Sequence, residues 1–60
     1  MNKYDYFSVL CGERKVNYHG NVYEVISETD NGVILQSVND DTHLQITFRE
    51  LRLNADVFLD

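Results

Sequence analysis

The stretch VYEVISETDNGVILQSVNDDTHLQITF, residues 22–48, decides the fold. Two apolar, β-branched runs meet at Asp30-Asn31-Gly32, and a third is reached through Asn39-Asp40-Asp41-Thr42. Such clusters mark chain reversals, because Gly tolerates positive φ and Asn or Asp side chains bond to nearby backbone. The pattern predicts three antiparallel strands over residues 22–28, 33–38 and 43–48. In the last of these, Leu44, Ile46 and Phe48 alternate with His43, Gln45 and Thr47, which describes a half-buried strand with one wet side. The middle strand is apolar on both faces and therefore central. The first contains two adjacent apolar pairs, Val22-Tyr23 and Val25-Ile26. A period-two element cannot bury both members of a pair, so a β-bulge or a sharp bend is expected there. Asn31-Gly32 fits a type I′ turn or a Gly-containing three-residue loop.

Outward from this meander, residues 14–18 read as a first strand, with Val16 and Tyr18 on one face. His19-Gly20-Asn21 reverses it, with Gly20 where φ must be positive. On the other side, Phe48-Arg49-Glu50-Leu51 is too short for a stable helix and fits a single 3₁₀ turn, with Leu51 plugging the core. Residues 54–59 then close the sheet as a short last strand, Val57 and Leu59 sharing a face. Residues 1–10 allow a short helical turn, since Phe7 and Leu10 sit three apart. The preferred reading is an extended arm that packs Phe7 and Val9 onto the sheet, residues 1–6 being free to move. The expected architecture is thus all-β: one small five-stranded SH3-like barrel over residues 1–60, with tight hairpins and one 3₁₀ turn before the last strand. Closure would hide the strand edges that a flat meander exposes. A five-stranded open sheet covered by a partner is the alternative.

Size and composition fit this picture. Sixty residues make a single domain, and a chain of that length hides only about 60% of its unfolded surface. The lone Cys11 excludes an internal disulfide framework, and no Cys/His cluster offers a zinc staple. An unpaired thiol suits a reducing compartment, so a cytoplasmic location is expected. Asp5, Glu13, Arg14 and Lys15 interrupt any N-terminal run of signal-peptide or membrane-span length. The formal net charge is −5 and the pI near 4.7. That balance argues against direct nucleic-acid binding and favours solubility or a basic protein partner, without excluding a local basic patch.

Gly12, Val16, Tyr18, Gly20, Tyr23 and Val25, followed by Val33, Leu35 and Glu50-Leu51, fall in a recognisable order. Over residues 7–59 this order resembles a small β domain found near the N-terminus of Mu-like transposases and integrases. The gap between Gly12 and Val16 is one residue longer than in that pattern. The resemblance implies a non-catalytic accessory module of a phage or mobile element, since the family's nuclease chemistry belongs to a separate domain.

The chemistry-bearing residues read mostly as structure. Asp40-Asp41 could pair for acid/base work, but a hairpin tip is open to water and lacks the walls that shift carboxylate pKa values. Asp30-Asn31-Gly32 has its glycine too early for a calcium loop and no bidentate glutamate. Cys11, His19 and His43 stand on separate segments with no ligand motif, and Cys11 has no adjacent base. No catalytic, metal or cofactor-binding residue is assigned, and an enzyme is not expected. Arg14, Lys15, Arg49 and Arg52 form two pairs that would meet beside Tyr18 if the first and last strands adjoin, making a patch for phosphate or an acidic partner. Scattered charge balanced by Glu13 and Glu50 is the weightier alternative. Tyr4, Tyr6, Tyr18 and Tyr23 suit either an interface or a thin core.

The candidate binding surface is therefore Tyr18, Tyr23, His43, Gln45, Thr47, Arg49 and Arg52, on a non-catalytic protein-binding module of a phage or mobile element, within a nucleoprotein assembly. The competing reading is an inhibitor that mimics nucleic acid, with Glu24, Glu28, Asp30, Asp40 and Asp41 as its carboxylate array.

Overall fold

A computed structural model describes residues 1–59, and its elements follow in the order α1 (Lys3–Leu10), β1 (Val16–Tyr18), β2 (Asn21–Glu28), β3 (Gly32–Ser37), β4 (His43–Thr47), α2 (Phe48–Asn54) and β5 (Ala55–Val57). The five strands form one antiparallel sheet in the order β4-β3-β2-β1-β5. Strands β1 to β4 are a meander, and β5 returns to pair with β1. Among the described residues, no helix is long and apolar enough to cross a membrane.

The turns explain the register. Tyr18 pairs with Asn21, leaving His19 (φ 50°) and Gly20 (φ 84°) as a two-residue loop of type I′ geometry. Glycine takes that conformation freely. His19 takes it at a cost, and its ring packs edge-on against Tyr18 at a centroid distance of 4.1 Å. Of the bulge or bend expected in this strand, the structure has a bulge: Val25 opposes Leu35 and Ser27 opposes Ile34, so Ile26 is the extra residue. It points outward and is half exposed.

Gly32 behaves differently from its sequence reading. Its φ is not positive; it opens β3 beside Thr47, where an added Cβ would stand 1.9 Å from the Ile46 carbonyl oxygen. Close approach of β4, rather than turn geometry, is what demands glycine there. The turn itself is held by the Thr29 N–H donating to the Gly32 carbonyl at 2.8 Å.

Both ends of the chain correct the sequence reading. Residues 3–10 are not an extended arm but the helix α1, in which Val9 is fully buried while Phe7 faces out. Asn2 caps it, accepting from the Asp5 N–H at 2.8 Å, which satisfies one of the unpaired donors of the first turn. Residues 48–54 are not a 3₁₀ turn but the α-helix α2. Thr47 caps it, its Oγ1 accepting from the Glu50 N–H at 3.0 Å, and the Asn54 side-chain amide donates to the Glu50 carboxylate. A cap, an i,i+4 side-chain bond and one buried residue hold a helix that propensity alone would not.

That buried residue is Leu51. It joins Val9, Val16, Tyr23, Val33, Leu35, Ile46 and Ala55 in the core, on the sheet face that α1 and α2 cover. Among the described residues β4 and β5 do not pair, yet α2 touches β3, β4 and β5. A seven-residue helix can reach both edge strands only if the sheet curls toward itself. The ring is therefore completed by α2 rather than by a hydrogen-bonded ladder. Full burial of a leucine at that junction contributes about 1.5–3 kcal/mol.

Candidate functional site

The seven residues read as a binding surface from sequence lie in three places. Tyr23 is in the core, and Tyr18 is half-buried beside it on the inner face, ring centroids 6.4 Å apart. Partial burial pushes the Tyr18 hydroxyl above the usual tyrosine range, with the Glu50 carboxylate and Tyr23 adding to the effect. His43, Gln45 and Thr47 are exposed on the outer face of the edge strand β4, opposite Gln36, Ile34 and Gly32. Arg49 and Arg52 project from α2. These residues do not form one surface.

The two basic pairs are also separated. The β1–β5 ladder is antiparallel, so Tyr18 lies opposite Ala55 and Val16 opposite Val57. Arg52, three residues before Ala55, sits at the Tyr18 end. Lys15 sits at the other, its carbonyl accepting from the Phe58 N–H at 2.9 Å. Arg14 and Lys15 line a shallow cleft of 350 Å³ with Glu13, Phe58 and Leu59.

The carboxylates proposed for mimicry divide likewise. Glu28 and Asp30 lie at the β2–β3 turn, whereas Asp40 and Asp41 lie at the β3–β4 turn. The six residues of β3 hold those turns about 20 Å apart. Asp40 is committed locally: it accepts from the Thr42 N–H at 2.8 Å. That bond, with help from the Thr42 and Ser37 hydroxyls, holds its carboxyl below the usual aspartate range. It is a turn lock.

A different surface gathers charge and apolar area together. Between α1 and α2 run two adjoining hollows of 300 and 360 Å³ that share Tyr6 and Arg52. Lys3, Arg49 and Arg52 line them, three of the chain's five Lys and Arg residues. Among the described residues that line these hollows, none is acidic. Half-buried Tyr6 and Phe48 lie within the groove, while Phe7 and Leu53 present more than half their surface to solvent. The Met1 backbone nitrogen donates to the Arg52 carbonyl at 2.7 Å and ties the two helices together at this point. Comparison with protein-family models, curated proteins and solved structures finds no match.

The groove is a cationic, apolar strip on an acidic chain. It can hold a small apolar group flanked by negative charge, and it has no walls deep enough to exclude water from a reacting centre. Elsewhere, among the described residues, no three of His, Cys, Asp and Glu come together as a metal cluster. Cys11 caps the end of α1, His19 lies in the β1–β2 turn and His43 starts β4.

Lys3, Phe7 and Leu53 were missed as surface residues because their helices were missed. The signal was available in the caps. Asn2 precedes Asp5 by three, and Thr47 precedes Glu50 by three, which are the spacings of a helix N-terminus.

Proposed function

We propose that this chain is a non-catalytic protein-binding module that docks its partner through the groove between α1 and α2. The observation that carries this reading is the gathering of Lys3, Arg49 and Arg52 beside exposed Phe7 and Leu53, on a chain whose formal net charge is −5. Arginine and aromatic side chains concentrate at interfaces because they bury large areas while keeping a polar handle. Phe7 and Leu53 expose apolar surface in adjoining hollows that share Tyr6 and Arg52, and exposed apolar surface rimmed by charge is the usual mark of an interaction surface. In the setting implied by the resemblance to transposase accessory domains, the partner is another protein of a phage or mobile-element nucleoprotein assembly. About 20 Å separates Glu28 and Asp30 from Asp40 and Asp41, and Asp40 is bonded within its own turn, which weighs against nucleic-acid mimicry.

The test is a three-way capture from host lysate with immobilised wild type, an Arg49→Glu/Leu53→Asp variant and a His43→Ala/Gln45→Ala variant, each checked for native circular dichroism. Proteins retained by wild type and by the β4 variant, but released by the groove variant, support this reading. Loss with the β4 variant and retention with the groove variant would move the docking surface to the outer sheet face and reject it.

A further inference from the structure

We infer that the groove's occupant is a short acidic–apolar peptide segment, an apolar side chain seated between Phe7 and Leu53 with carboxylates on either side of it. This rests on the groove being the docking surface. Arg49 and Arg52 are three apart on α2, so their side chains rise from neighbouring positions about 5–6 Å apart. Lys3, on α1, lines the same hollow as Arg52, and Arg49 lines the adjoining one. An occupant crossing from one helix to the other therefore meets positive charge on both sides and apolar surface from Tyr6 and Phe48 between. Arginine forks bind carboxylates in two-point fashion, which favours acidic side chains over neutral ones at the rim.

The length of the groove sets the size of the occupant. The eight residues of α1 span about 12 Å. That accommodates three or four extended residues or about two turns of helix, a linear segment rather than a domain. Size also decides against nucleic acid. Duplex DNA carries one charge per roughly 1.7 Å of axis. A duplex laid in the groove would overrun it and press further phosphates onto a surface with ten Asp and Glu residues against five Lys and Arg. A short segment whose few carboxylates all fall within the groove escapes that repulsion.

The experiment is a titration of isotope-labelled protein with a capped tetrapeptide of glutamate, leucine, phenylalanine and glutamate, followed by amide NMR. Saturable shifts centred on Tyr6, Phe7, Arg49, Arg52 and Leu53 are expected. Binding should weaken at least tenfold with a glutamine-for-glutamate peptide, with an alanine-for-Leu-Phe peptide, and with Arg49→Glu/Arg52→Glu protein. Absence of saturable shifts, shifts centred on Arg14, Lys15 and Leu59, equal binding of the glutamine peptide, or tighter binding of a double-stranded oligonucleotide would overturn the inference. If lysate capture depends on the groove while the peptide fails, only the acidic occupant is wrong. If capture ignores the groove as well, the docking reading falls with it.

Discussion

Replacing Gly32 by alanine tests the link between sequence and sheet geometry most directly. An L-Cβ at this position would meet three backbone atoms of β4: the Ile46 carbonyl oxygen at 1.9 Å, the Thr47 Cα at 2.7 Å and the Ile46 carbonyl carbon at 2.8 Å. Flexible side chains can swing aside, but a strand held in register with its neighbour cannot, so β4 must separate from β3 at the Gly32–Thr47 pair. Overpacking of a well-packed site costs roughly 1–3 kcal/mol, and a backbone obstacle belongs at the upper end. The whole stability of a domain this size is roughly 3–9 kcal/mol. A loss of about 3 kcal/mol should lower the melting temperature by about 12–24 °C. Gly32→Asn separates the two explanations of this glycine. Asn tolerates positive φ, so it would largely rescue a turn position but not a close approach. Thermal and urea unfolding of Gly32→Ala, Gly32→Asn and, as a true positive-φ comparison, Gly20→Asn provide the measurement. If Gly32→Ala melts within a few degrees of wild type, or if Gly32→Asn is clearly milder than Gly32→Ala, the close-approach argument is refuted.

Leu51→Ala should cost about 2–5 kcal/mol, enough to unfold a large fraction of the chain, whereas the exposed neighbour Leu53→Ala should change the urea midpoint little. The Asp40 carboxyl titrates below its usual value because the folded turn favours its charged form. Its contribution to stability is therefore present above about pH 3.8 and is lost as pH falls through the lower folded value; amide exchange at Thr42 should quicken there first, and stay unchanged in Asp40→Asn. Tyr18 shows the opposite sign. Its raised pKa means that the fold prefers the neutral phenol, so the contribution is intact below about pH 10 and is lost as pH rises through the higher folded value, an alkaline fall in the urea midpoint that Tyr18→Phe should diminish.

Much of the sheet was legible from the chain because its signals are local. His19-Gly20-Asn21 announces a reversal, of which the structure uses His19 and Gly20 as the loop, and the unburiable pairs at Val22-Tyr23 and Val25-Ile26 announce an irregularity that the register shift shows to be a bulge. Leu51 stands out as an apolar residue among charged neighbours, and it is indeed fully buried. The helices were harder to read. Each buries only one residue completely, so α1 and α2 lack a wide apolar stripe and their periodicity is weak. Helix formation rests there on the caps at Asn2 and Thr47 and on tertiary packing. Gly32 was legible as essential but for the wrong reason, since its neighbour Ile46 lies fourteen residues away and no local rule reports that approach. The candidate groove was illegible for the same cause. Lys3 and Arg52 are nearly the length of the chain apart, and only the return of β5 to β1 and the tie from Met1 to the Arg52 carbonyl bring their helices side by side.

The placement of α2 across both borders of the sheet makes seven residues the clasp of the whole molecule. Should that clasp lift while the strands stay paired, the curl relaxes and β4 and β5 offer two bare rims of amide and carbonyl groups to any neighbouring chain. Self-association is then governed by how often a single short segment detaches, not by how often the protein unfolds. Variants that loosen Thr47 should raise self-association as well as lower the melting temperature, because the cap they remove is worth about 0.5–2 kcal/mol.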